Sequence, residues 1–218
     1  MAANKNAQRV GIWIIVVIMT IGTLASFVAI ILMNQNQATD KQVLANACTE
    51  YTGAATAQSN ELSNKYFATL NEYSSRPAEY DKATITELKS EDLKVGDGEE
   101  ITAESSYSAY YIGWGPDGKV FDQSIDGDTL KAPLAVKPGG VIEGWGQGVV
   151  GMKVGGIREL SIPSDLAYGE AGNSGIDPNT PLKFVMMVIP TPATIEIPAA
   201  LKQYESYINA GLISYVCS

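Results

Sequence analysis

Val141-Ile142-Glu143-Gly144-Trp145 opens a stretch that runs through Gly146-Gln147-Gly148-Val149-Val150 into Gly151-Met152-Lys153-Val154-Gly155-Gly156. Between Gly144 and Met152 lies the one plausible helix of residues 91–191, and it is short. Gly146 and Gly148 each weaken it by up to about 1 kcal/mol relative to Ala. The flanking sequence reads as strands separated by Gly/Pro turns. Ser105 to Ile112 is rich in β-favouring residues, and Pro116-Asp117-Gly118 is a turn signature leading into Lys119-Val120-Phe121. Pro133 to Val136, Arg158 to Ile162 and Leu182 to Ile189 are further strand candidates. Many strands and one short helix predict an α+β domain: an antiparallel sheet with one face packed on a helix.

Four more blocks keep a fixed order with the opening one. They are Tyr111-Ile112-Gly113 with Asp117-Gly118-Lys119-Val120-Phe121-Asp122, Gly151 to Gly156, Leu166-Ala167-Tyr168-Gly169, and Gly175-Ile176-Asp177-Pro178-Asn179 with Leu182-Lys183-Phe184. Together the five blocks resemble the FKBP family of peptidyl-prolyl cis-trans isomerases, in a membrane-anchored bacterial-type form. The resemblance implies a twisted antiparallel sheet wrapped around the short helix, with a ligand pocket between them. It also implies a pocket floor at Trp145 and walls from Tyr111, Phe121, Val141, Ile142 and Phe184. Tyr168 would offer its hydroxyl, and Ile142 its backbone N–H, to a substrate carbonyl. Asp122 would sit at the pocket edge, bonded to Tyr111. Proline-containing polypeptides are the implied substrates and macrolides the implied inhibitors. The sequence departs from relatives in three places: Ala132 stands where many have an aromatic wall, Asn173 where some have a histidine, and Gly146 where the short helix has an acidic or polar residue.

The rest of the composition agrees with that chemistry. The chain has no histidine, which removes His-based triads and His metal sites. Two widely separated cysteines make no C-x-x-C motif. No metal or cofactor is expected, and turning an X–Pro bond over its barrier of about 18–20 kcal/mol requires none. Two G-x-G-x-x-G matches, at Gly113 and Gly146, lack the surrounding strand–turn–helix unit of a nucleotide site.

Outside residues 91–191 the chain carries appendages. Val10 to Met33 is a 24-residue run without charge; as a helix it would reach about 36 Å, enough to cross a bilayer core of about 30 Å. Its length exceeds a signal-peptide core of about 7–15 residues, so residues 10–33 read as an uncleaved anchor. Lys5 and Arg9 precede it without an acid, which places residues 1–9 in the cytoplasm and the remainder outside. Residues 1–41 carry a net charge of +2 and residues 42–218 one of −11, matching the overall −9. That acidity argues against nucleic acid as a partner.

Residues 34–90 read as a polar stalk. Leu44, Ala47, Tyr51, Leu62, Tyr66, Leu70 and Tyr73 suggest weakly amphipathic helices broken near Gly53, with a flexible linker as the alternative. In the tail, residues 192–218, a helix is expected from Pro198 towards Asn209, with Gly211 as its stop. Leu201, Tyr204, Tyr207 and Ile208 share one of its faces. Cys48 and Cys217 flank the domain and either pair or stay free. Two functions remain open at this stage. One is an isomerase assisting exported proteins; the other is a non-catalytic, membrane-tethered module that holds clients in the same pocket.

Overall fold

The computed structural model describes residues 41–210 and Cys217. The anchor expected at residues 10–33 and the helix stop at Gly211 lie outside the described residues. Among the described residues, no helix is long and apolar enough to cross a membrane. The chain divides into two compact units, Ala55–Thr194 and the described parts of Met1–Ala54 with Ile195–Ser218.

The larger unit is built on an antiparallel sheet. Its strands are β1 (Lys89–Lys94), β2 (Tyr107–Trp114), β3 (Val120–Gln123), β6 (Leu134–Val136), β7 (Ile157–Ile162) and β8 (Leu182–Ile189). They lie in the order β1-β7-β8-β2-β3, and β6 also pairs with β2. The short helix α2 spans Glu143–Gly148, and a small hairpin, β4 (Ile125–Asp126) with β5 (Thr129–Leu130), follows β3. The sequence patterns located β2, β3, β6, β7, β8 and α2. They did not reveal the two-residue strands of the hairpin, or β1, whose Lys-Ser-Glu-Asp-Leu-Lys carries almost no apolar signal.

The expectation of one covered face is corrected by the structure. Strand β8 reads Leu-Lys-Phe-Val-Met-Met-Val-Ile and is buried nearly throughout. Because side chains alternate across a strand, Leu182, Phe184, Met186 and Val188 join a core with Trp145 of α2 and its C-cap Val149. Val185, Met187 and Ile189 instead join Tyr110, Ile112, Trp114 and Leu70 in a second core. Leu70 belongs to α1, the helix of residues 41–71. Leu62, Tyr66 and Phe67 of the same helix pack on that second core. The segment read as stalk therefore supplies the layer on the far face of the sheet. A non-alternating apolar run is what a strand buried on both faces requires. The expected break at Gly53 does not occur: the helix passes through it, with open space where a Cβ would stand.

Glycines decide how closely α2 lies on the sheet. A Cβ at Gly144 would meet Ile162 Cγ2 at 2.2 Å, and one at Gly148 would meet Leu160 Cδ2 at 2.7 Å. Gly146 faces open space. The sequence treated Gly146 and Gly148 as equal weaknesses, whereas only Gly148 is required by packing. Gly146→Ala is expected to raise stability by about 1 kcal/mol through helix propensity. Gly148→Ala should lower it by about 1–3 kcal/mol through overpacking. Urea unfolding of the two variants separates the effects; equal shifts would refute the packing account.

Arg158 of β7, 8 % exposed, fastens the end of α2. Its Nη1 donates to the carbonyls of Gly148 (2.9 Å) and Val150 (3.1 Å). Its Nε and Nη2 donate to the two carboxylate oxygens of Asp92 on β1, at 2.7 and 3.1 Å. The fork geometry of guanidinium thus satisfies helix-end carbonyls and an edge strand together. Strand β1 is otherwise exposed along most of its length, and its register shifts between Asp92 and Lys94.

In the smaller unit, Ala47 and Cys48 of α1 are buried with Leu201 and Ile208 of the tail, and Leu44, Tyr51 and Tyr204 pack around them. The tail forms a 3-10 helix, Ala199–Tyr204, continued by α3 (Glu205–Asn209). Pro198 caps the 3-10 turn rather than starting it. Cys48 and Cys217 form a disulfide, their Cα atoms 5.7 Å apart.

Candidate functional site

Strand β2 sets the site. Its outer edge pairs with β6 over Tyr107–Ala109 and with β3 over Ile112–Trp114, and Tyr111 falls between the two ladders. Buried Ser124 fills that gap. Its Oγ accepts from Tyr111 N (3.0 Å) while its own N donates to Tyr111 O (2.8 Å). Ser124 O in turn accepts from Lys131 N at 2.9 Å. Tyr111 is thereby fixed without a strand partner on that side, and its hydroxyl donates to Asp122 Oδ2.

Burial first, then the hydrogen bond and charge of Asp122, hold the Tyr111 phenol well above its ordinary range, so it remains a donor. Asp122 Oδ1 accepts from Gln123 N (2.8 Å) and lies 3.8 Å from Lys131 Nζ.

An aromatic chain runs inward from Tyr111. Its ring stands edge-on to Trp145 with centroids 5.1 Å apart, Trp145 is edge-on to Phe184 at 5.1 Å, and Phe184 is edge-on to Phe121 at 5.6 Å. Such T-shaped contacts contribute about 0.5–1.5 kcal/mol each beyond buried area. Trp145 and Phe184 are buried, whereas Tyr111, Phe121, Val141, Ile142 and Tyr168 are partly exposed and pack on the same core. Ile142 caps α2, and its carbonyl accepts from Trp145 N (3.0 Å) and Gly146 N (3.3 Å). Tyr168 caps a 3-10 turn, Gly169–Ala171. All eight residues singled out from the sequence therefore surround one core, with Asp122 at its rim. Ala132 is exposed.

Phe121, Asp122 and Tyr168 line a groove of about 1070 Å³ that continues past Ile176 to Tyr80 and Asp81. Val141 and Ile142 also border a separate hollow of about 350 Å³ beside Tyr107. There the buried Tyr107 hydroxyl lacks a partner among the described residues, and burial pushes its phenol up to about 12.

Sequence reasoning did not single out Ser124 or the special role of Gly113. No local pattern marks a serine that replaces a strand partner. Gly113 sits opposite both Phe184 and Asp122 in the sheet. A Cβ there would come within 2.5 Å of the Phe184 ring and 2.9 Å of the Phe121 ring. Gly113→Ala is expected to displace both rings. It should cost about 1–3 kcal/mol of stability and lower kcat/KM for prolyl exchange by tenfold or more, equivalent to about 1.4 kcal/mol. Peptide exchange assayed at a temperature where the variant stays folded reads this directly; unchanged kcat/KM would show that the ring positions do not matter.

Comparisons with known proteins identify the family. A family model described as FKBP-type peptidyl-prolyl cis-trans isomerase matches residues 97–189. The chain is 41% identical over 90 residues to an "FK506-binding protein" of Neisseria meningitidis serogroup A, covering 80% of that protein and 40% of itself. This chain belongs to the FKBP family. It is a peptidyl-prolyl cis-trans isomerase of that type. This FKBP is also 40% identical over 114 residues to "FK506-binding protein 4" of Aspergillus oryzae, aligning with 24% of that protein and 50% of itself. Among solved structures it resembles a peptidyl-prolyl cis-trans isomerase from Pseudomonas syringae pv. tomato. The identity there is 30%, with 62% of this chain and 93% of that chain covered, at a TM-score of 0.42. The family match leaves out β1, α1 and the Tyr80–Asp81 end of the groove.

Proposed function

We propose that this FKBP turns X–Pro bonds of exported polypeptides on the outer side of a membrane, tethered by residues 10–33, with the site formed by Tyr111, Phe121, Asp122, Val141, Ile142, Trp145, Tyr168 and Phe184. The carrying observation is the aromatic chain Tyr111–Trp145–Phe184–Phe121 ending on the Tyr111–Asp122 hydrogen bond. An apolar floor strips water from the proline amide and favours the less resonant, twisted bond. The Tyr168 hydroxyl and the Ile142 N–H then stabilise the twisted carbonyl, while Asp122 faces the amide from the rim. No covalent intermediate is needed. The same apolar floor suits a macrolide as a competing ligand.

The Cys48–Cys217 disulfide supports the outer location, because structural disulfides persist in oxidising compartments. Uncatalysed prolyl isomerisation takes about 10–100 s at 25 °C, slow enough to limit the folding of exported chains.

Exchange on a proline peptide by the full chain in detergent is the test of activity. Tyr168→Phe and Asp122→Leu are expected to lower kcat/KM by about tenfold or more without changing the circular dichroism of the fold. Normal rates in both variants would remove these side chains from the reaction. Location is read with Val95→Cys, a change at a site 73 % exposed. Labelling by an impermeant thiol reagent in intact cells is expected, and protection until the membrane is opened would reverse the topology.

A further inference from the structure

The hairpin that follows β3 is held from outside the family-matched residues. Its second strand ends at Leu130, which is buried and whose N donates to Ser63 Oγ at 2.8 Å. Ser63 is buried too and belongs to α1, whereas the family match covers residues 97–189. A buried N–H is seldom left without an acceptor, and this acceptor is a side chain 67 positions away. Around that bond the fit is apolar. Leu130 sits in the second core, and Ile125 of the hairpin packs on the same cluster as Leu62, Tyr66 and Phe67 of α1.

The next residue carries the connection into the site. Lys131 N donates to Ser124 O (2.9 Å), and Lys131 Nζ donates to Gln123 O (2.9 Å). Ser124 in turn holds both the N–H and the carbonyl of Tyr111, whose hydroxyl donates to Asp122. Lys131 Nζ also lies 3.8 Å from Asp122 Oδ1, but both side chains are about half exposed, so that ion pair is weak. The buried bond at Leu130 and the backbone bond of Lys131 carry the larger share of the support. Tyr111 falls between the ladders to β3 and β6. Its placement on that side therefore depends on Ser124, and the placement of Ser124 depends on the hairpin.

We propose that Ser63 is a positioning residue of the isomerase site. It touches no substrate. It fixes the hairpin, and through Ser124 it holds the Tyr111–Asp122 pair against the twisting amide. The rings of Trp145, Phe121 and Phe184 belong to the other core and lie off this path, so the effect falls on kcat rather than on KM. The proposal rests on the isomerase reading and adds a residue to it.

Ser63→Thr and Ser63→Val are compared in the full chain in detergent. Both add the same methyl group at the same buried place and have similar helix propensity; only the hydroxyl acceptor differs. Ser63→Val is expected to lower kcat on a proline peptide by about fivefold relative to Ser63→Thr, with KM unchanged, at a temperature where both stay folded. Ser63→Ala against the unaltered chain gives the same reading if the larger side chains do not fit. In a Ser124→Ala background the effect of Ser63 should shrink, because residues on one path are not additive. Equal kcat with and without the hydroxyl, a change confined to KM, or an effect undiminished in Ser124→Ala overturns the proposal. If the unaltered chain turns over no peptide, the isomerase reading fails. Positioning is then read from hydrogen exchange at Tyr111 N–H, followed by NMR and expected to be about fivefold faster in Ser63→Val than in Ser63→Thr; equal exchange removes Ser63 from the site.

Discussion

Loss of the Cys48–Cys217 bridge, by Cys48→Ser with Cys217→Ser, is expected to lower the free energy of opening the small core of Ala47, Leu201 and Ile208 by up to about 5 kcal/mol. The bridge joins residues 169 positions apart, and the loop-closure entropy of a cross-link grows with that separation. Without it, a core with four buried residues among those described must be assembled from segments at opposite ends of the described chain. Limited proteolysis of residues 195–210 with and without the bridge measures the change. Hydrogen exchange in β2 and β8 serves as the internal control. If the tail is cleaved no faster in the double variant, packing by Leu201 and Ile208 alone holds it.

Arg158→Ala is expected to cost the larger unit about 2–4 kcal/mol. It removes hydrogen bonds to a carboxylate and orphans the Gly148 and Val150 carbonyls at the end of α2. Arg158→Lys should recover part of the loss, because a lysine cannot span both carbonyls and the carboxylate. The same substitution changes the acid limb. The Arg158 hydrogen bond holds the Asp92 carboxyl below its ordinary range, against a smaller opposing effect of burial. A carboxylate depressed in the folded state stabilises fully above its unfolded pKa of about 3.9, and that contribution is lost as pH falls through the folded value. Urea midpoints measured between about pH 6 and pH 3 should therefore decline less steeply in Arg158→Ala than in the unaltered chain. Parallel slopes would detach Asp92 from the acid response.

Five strands and the short helix are legible because each carries a local signal, and the ordered motifs pick out eight side chains that the fold brings together around Trp145. Leu182–Ile189 was read with its observed bounds, since a long β-branched and apolar run between turns has few other uses. The layer on the second face was harder to see. Leu62, Tyr66, Leu70 and Tyr73 recur at helical spacing, but nothing in that spacing says which surface receives them; the unbroken apolar run of β8 held that information. Strand β1 was missed because an edge strand held by backbone bonds to β7 and by the Asp92–Arg158 fork needs no apolar alternation. Ser124 and Gly113 act through distances of tenths of an ångström, which residue type alone does not encode. The Cys48–Cys217 pairing depended on a spatial separation that sequence position cannot supply.

The charged edge has a meaning beyond stability. A strand with one free side is a template on which another extended chain can add, and a folding catalyst in the proposed role meets extended chains continually. Lys89, Glu91, Asp92 and Lys94 line β1, and the register shift between Asp92 and Lys94 breaks the ladder a newcomer would have to follow. A client can then enter the groove beside Asp122 and leave again, instead of being captured into a mixed sheet with the enzyme that was meant to release it.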